Sequence, residues 1–147
     1  MRKVIFLQIL LLFISSCAVP SQRSMMTHET NLDSDFDRST DGLATAGKSE
    51  AFEIQDGETY TLEAKPVVKD IGVPIRMYGY NGQIPGPLLK VKQGSSVWIN
   101  FRNSMEFDTA IHWHGLRHDY KFDGVSQEPV RPGKNFLYKL SFPDAGI

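Results

Sequence analysis

Ala110-Ile111-His112-Trp113-His114-Gly115 is the stretch of this chain best equipped to do chemistry. In a β-strand, residues i and i+2 project from the same face, about 7 Å apart at Cα. A strand here carries the imidazoles of His112 and His114 side by side and packs Ile111 and Trp113 on the opposite face. Two parallel imidazoles suit one metal ion or two neighbouring ions, and imidazole favours zinc, copper, iron and nickel. Gly115 then lets the backbone turn away or approach another group closely. The alternative is a pair of surface histidines on a half-exposed strand, because His-x-His also arises by chance.

The elements that must position this pair are legible as alternation beyond residue 50. Tyr60, Leu62 and Ala64 alternate with Thr and charged residues, as do Leu89 and Val91 with Lys90 and Lys92. Val97, Ile99 and Phe101 alternate with Asn100 and Arg102, and Phe136, Tyr138, Leu140 and Phe142 give the cleanest run. Turn signals separate them at Asn81-Gly82, Pro85-Gly86-Pro87, Gln93-Gly94, Asn103-Ser104 and Pro132-Gly133. Short strands at this spacing predict an all-β sandwich or Greek-key barrel of about seven strands over residues 51–147.

Composition narrows the field. The 147 residues allow one ordinary domain, and a net charge of -1 gives no basic patch for a nucleic-acid partner. One cysteine excludes a disulfide framework and a Cys-based zinc finger. Arg2 and Lys3 precede the apolar run Val4–Ile14, too short for the roughly 20 residues of a membrane-spanning helix. That layout reads as a secretory signal over residues 1–16. Ile14-Ser15-Ser16-Cys17 resembles a bacterial lipobox, which makes Cys17 the lipidation site and places the protein in the periplasm or at the cell surface. An ordinary signal cleaved near Ala18 is the alternative. Without residues 1–16, 14 Lys and Arg face 17 Asp and Glu, a net charge of -3. Residues 17–50 are polar and aperiodic, the pattern of a flexible tether. Within it, Met25, Met26 and His28 form either a soft copper-collecting patch or a stretch of solvated linker.

A longer set of spaced motifs surrounds the histidines. Tyr80-Asn81-Gly82-Gln83-Ile84-Pro85-Gly86-Pro87 leads to Leu88-Leu89-Lys90-Val91, then to Gly94, Val97, Ile99 and Asn103, and then to His-Trp-His-Gly. Asp123-Gly124, Gln127-Glu128-Pro129-Val130-Arg131-Pro132-Gly133 and Phe136-Leu137-Tyr138 follow in order. Over residues 75–147 the chain resembles the first cupredoxin domain of the multicopper oxidases. The resemblance implies copper as cofactor, with His112 on the type 2 copper of a trinuclear cluster and His114 on a type 3 copper. It gives Asp123 a part in proton delivery during oxygen reduction, where the alternative is an ordinary turn aspartate before Gly124. Trp113 is assigned to packing and His118 to a loop. Ser95 stands where the family often has Asp, at a surface turn.

In the family, Asp-Ala-Gly precedes a strand with a second His-x-His pair, and the sequence ends at Asp144-Ala145-Gly146-Ile147. A blue copper site needs two His and a Cys thiolate, and Cys17 is the single cysteine. The expectation is therefore a truncated N-terminal domain, inactive alone, that needs further oxidase domains for a full cluster. Its strand at 136–142 would be left with an unpaired edge. Two rivals stay open. A cupin-type mononuclear site also uses His-x-His, but wants a nearby acid, for which His118 and Asp119 come closest, and a Gly where Glu106 stands. A lipid-anchored binding module without metal is the other.

Overall fold

The computed structural model describes residues 37–125 and 129–146. The leader, Cys17, and the Met25, Met26 and His28 group lie outside them. Among the described residues there are six strands: β1 (Ala51–Ile54), β2 (Thr59–Asp70), β3 (Pro74–Tyr80), β4 (Leu88–Val91), β5 (Ser96–Asn103) and β6 (Asn135–Ser141). A 3-10 turn spans Tyr120–Phe122. The larger sheet has the order β3-β2-β5-β6, and β1 pairs with β4 in a second, two-stranded sheet. The chain is all-β, as expected, and among the described residues the sheets do not close into a barrel.

The alternating residues set the register. Leu62 lies opposite Phe101 in the parallel β2–β5 pair, and Val97, Ile99 and Phe101 lie opposite Leu140, Tyr138 and Phe136 in the antiparallel β5–β6 pair. Because side chains alternate with period two, this register sends one set to a single face. Val97, Ile99, Phe101, Tyr138 and Leu140 are buried there and join Ile54 of β1, with Leu89 and Val91 of β4 packed against the cluster. Full burial of each such side chain contributes about 1.5–3 kcal/mol, so this seam holds the two sheets together. β6 forms an edge of the larger sheet among the described residues, with Leu137 47% exposed on its outer face.

Asn81 and Gly82 make the expected turn, both at positive φ. The Asn81 side chain accepts from the Glu63 amide at 2.7 Å and donates to the Thr61 carbonyl at 3.0 Å. Glu63 is held below the usual carboxylate range, chiefly by the Ser104 hydroxyl.

Three expectations need correction. The tether is expected over 17–50, but residues 44–50, at its described end, make isolated backbone bridges to the sheet. The Ala46 amide donates to Val68, the Val68 amide to Ala44, and the Leu88 amide to Glu50. Backbone groups make these bonds, so a polar, aperiodic sequence does not prevent them. Ser95, expected at a surface turn, is buried at 7% exposure, because its carbonyl accepts from the Phe142 amide and draws it against β6. The histidine segment is not a strand. Thr109 makes one bridge to Val130, and residues 110–119 then run without a ladder partner.

Candidate metal centre

Three anchors hold the His112–His114 segment in place of a strand ladder. The hydroxyl of Tyr138, a buried residue of β6, accepts a hydrogen bond from the Ile111 amide at 3.0 Å. Ile111 is buried, and the Trp113 ring meets Tyr138 edge-on at 5.6 Å. Gly124 supplies the third anchor. Its φ is +78°, and a Cβ there would overlap the carbonyl of Ile111 and crowd the His112 amide. Only a residue without a side chain lets the 123–125 turn lie this close to the histidine backbone.

Inward-pointing Ile111 and Trp113 leave the two imidazoles outward. His112 and His114 are both exposed, with ring centroids 5.6 Å apart and planes at 74°. The expected sidedness therefore holds although the strand does not, because extended backbone alternates its side chains with or without a ladder. Gly115, at φ +83°, turns the chain away.

Asp123 comes to the same place. Its main-chain carbonyl lies 2.8 Å from His112 Nδ1, and its carboxylate oxygen Oδ2 lies 3.5 Å from that nitrogen. A carbonyl can only accept, so Nδ1 is the donor, and the neutral ring so held presents the Nε2 lone pair to an outside partner. Metal-bound histidines are held in this way, with one nitrogen donating to a carbonyl or carboxylate and the other ligating. The donor set thus fits a metal that accepts imidazole. It is a partial site: among the described residues no group of three or more His, Cys, Asp or Glu could hold an ion.

His118 lies in a loop, as expected, but its side chain is only 2% exposed, with Nε2 3.5 Å from Asp123 Oδ1. Asp119, the nearest acid for a cupin-type site, instead accepts from the Lys121 amide and caps the 3-10 turn. Sequence reasoning missed the anchoring by Tyr138 and the burial of His118. Tyr138 carried a signal only as a core residue in an alternating strand, and His118 carried none.

A groove of about 570 Å³ opens beside His114, between Leu88–Val91 of β4 and Phe142–Gly146. Arg117 and Asp144, both in its lining, are joined by a two-pronged bond at 2.7 and 2.8 Å. That pairing holds the Asp144 carboxyl below its ordinary range.

Known proteins place this arrangement in a family. The sequence pattern described as multicopper oxidase matches residues 61–147. A multicopper oxidase of Staphylococcus aureus is 39% identical over 85 residues, covering 56% of this chain and 19% of its own. One from Mycobacterium tuberculosis is 33% identical over 108 residues, covering 70% of this chain and 21% of its own. Among solved structures, a multi-copper oxidase from Pseudomonas thermotolerans is 36% identical, with a TM-score of 0.57 over 69% of this chain and 24% of its own. Lac15, from a marine microbial metagenome, is 42% identical, with a TM-score of 0.55 over 62% of this chain and 26% of its own. The chain spans about a fifth of the length of these curated relatives. It belongs to the multicopper oxidase family.

Proposed function

We propose that this chain forms the N-terminal cupredoxin domain of a copper oxidase and that His112 and His114 are copper ligands. The observation that carries the reading is the outward pair of imidazoles, with His112 Nδ1 committed to the Asp123 carbonyl. His112 is assigned to a type 2 and His114 to a type 3 copper, and the parent reaction couples substrate oxidation to reduction of O2 to water. Copper bound there supplies one-electron redox chemistry and a place for oxygen to bind. The protein's own part is to fix the imidazoles and exclude wrong tautomers. Asp123, its side chain 35% exposed and within 3.5 Å of His112, is the acid suited to exchange protons between solvent and the site.

Of the four histidines in the 147 residues, two are proposed as ligands, and the one thiol is at Cys17. Alone the chain is expected to retain copper weakly and to show no sustained oxygen uptake with a chromogenic donor. Equilibrium dialysis and an oxygen electrode, with the His112→Ala/His114→Ala chain beside the wild type, test both points. Equal copper retention by the two chains overturns the ligand assignment, and histidine-dependent uptake overturns the need for further domains.

The reading also puts a lipid on Cys17 and the domain outside the inner membrane. Each buried acyl CH₂ contributes about 0.8 kcal/mol, enough for firm anchoring with more than one chain. Labelling with a fatty-acid probe should mark the wild type and spare Cys17→Ala. Equal labelling of both chains contradicts it.

A further inference from the structure

We propose that His118 is a positioning residue, which anchors the Asp123 carboxylate and through it fixes the tautomer and direction of His112. The inference takes its functional meaning from the ligand role proposed for His112. The His118 side chain is buried, 2% exposed, and neither ring nitrogen has a hydrogen-bond partner among the described residues. Burying an imidazole without partners is unfavourable, and an apolar side chain of similar size would fill the same space without that penalty. The group facing it is Asp123, whose two carboxylate oxygens are divided between two histidines. Oδ1 lies 3.5 Å from His118 Nε2, and Oδ2 lies 3.5 Å from His112 Nδ1.

The order His118, Asp123, His112 runs from the interior to the exposed imidazole. A proton on His118 Nε2 lets that nitrogen donate to Oδ1 after a small tightening of the contact. The carboxylate then cannot swing into solvent, and Oδ2 stays over the Nδ1–H of His112. The Asp123 carbonyl already accepts from that nitrogen at 2.8 Å, so carbonyl and carboxylate together hold one tautomer. Gly124, pressed against the Ile111–His112 peptide, keeps the Asp123 backbone in register with this arrangement. Partners of metal-binding histidines at this remove commonly change metal affinity by about 10–100-fold when removed.

Long-range proton–nitrogen NMR on the metal-free, 15N-labelled 147-residue chain tests the proposal. The wild type should show His118 protonated on Nε2 and His112 protonated on Nδ1. His118→Phe should shift the Asp123 carboxyl carbon and mix the His112 tautomers, while His118→Gln, which still offers an N–H, should keep both close to wild type. In copper titrations, His118→Phe and Asp123→Ala should each weaken binding about tenfold, and the double variant no more than the stronger single one. Unchanged His112 tautomers in His118→Phe, or additive losses in the double variant, overturn the proposal. Should His118→Phe fail to fold, Asp123→Ala is read at His118, whose Nε2–H preference must then be lost; its survival overturns the proposal. The metal-free spectra stand apart from copper, so a wild type that binds no copper refutes the ligand reading without touching the coupling.

Discussion

Gly124→Ala should lower stability by about 2–4 kcal/mol and weaken copper binding with it. Two costs combine. An alanine at φ +78° pays roughly 1 kcal/mol for the left-handed backbone. Its Cβ also falls on the Ile111 carbonyl, and forcing an atom into packed backbone typically costs about 1–3 kcal/mol more. Relief requires the Gly124 turn and the Ile111–His112 peptide to move apart, which disturbs the contact between the Asp123 carbonyl and His112 Nδ1. Gly57→Ala is the control, since Gly57 has φ +75° with nothing within 4 Å of its added Cβ. It should cost about 1 kcal/mol and leave copper binding alone. Urea melts and copper titrations of the two variants give the comparison. Equal losses would show that the close approach of Gly124 to the histidine segment has no consequence.

Asn103→Ala is expected to be still more damaging to the fold, by about 3–5 kcal/mol. Asn103 is fully buried at the end of β5. Its amide donates to the carbonyls of Phe107 and Val130, both at 2.8 Å, and its side-chain oxygen accepts from the Met105 amide at 2.9 Å. These bonds tie the loop leading to the histidines, and the segment that returns to β6, onto the end of the sheet. Removing the side chain takes the Met105 amide's acceptor, a loss of about 1–3 kcal/mol for a buried donor, and costs the Phe107 and Val130 carbonyls one bond each, about 0.5–1.5 kcal/mol apiece, although Val130 keeps the Thr109 amide. A urea melt followed by tryptophan fluorescence should show the loss. A change below about 1 kcal/mol would mean that the loops are held by something other than Asn103.

The parts legible in the sequence are those in which one face of a strand is buried. Val97, Ile99 and Phe101, with Tyr138 and Leu140, announce their shared face by alternation, and the register bears them out. Asn81-Gly82 announces its turn because positive φ at both positions restricts the residue types. The parallel β1–β4 pair was only half legible: Leu89 and Val91 alternate, but Ala51–Ile54 is too short to show a period. Residues 44–50 join the sheet through amides and carbonyls, which every sequence possesses, so no side-chain pattern marks them.

The histidine segment misled in one respect and not in another. Extended backbone puts His112 and His114 on one side whether or not a neighbouring strand exists, so the pairing was readable while the ladder was not. The spacing of Asp123 came from the family resemblance, and its contact with His112 runs through a backbone carbonyl as well as the carboxylate. Burial of His118 depends on how the loop folds back after Gly115, and no local period encodes it.

His112 and His114 are proposed to form together the copper-binding face of this domain. Pulsed electron paramagnetic resonance of the 147-residue chain, loaded with less than one equivalent of Cu(II), counts the imidazole nitrogens coupled to the metal. Two coupled imidazoles are expected in the wild type, one in either single His→Ala variant and none in the double variant. Couplings that are unchanged when His112 and His114 are both replaced would contradict the account and move the copper to another part of the chain.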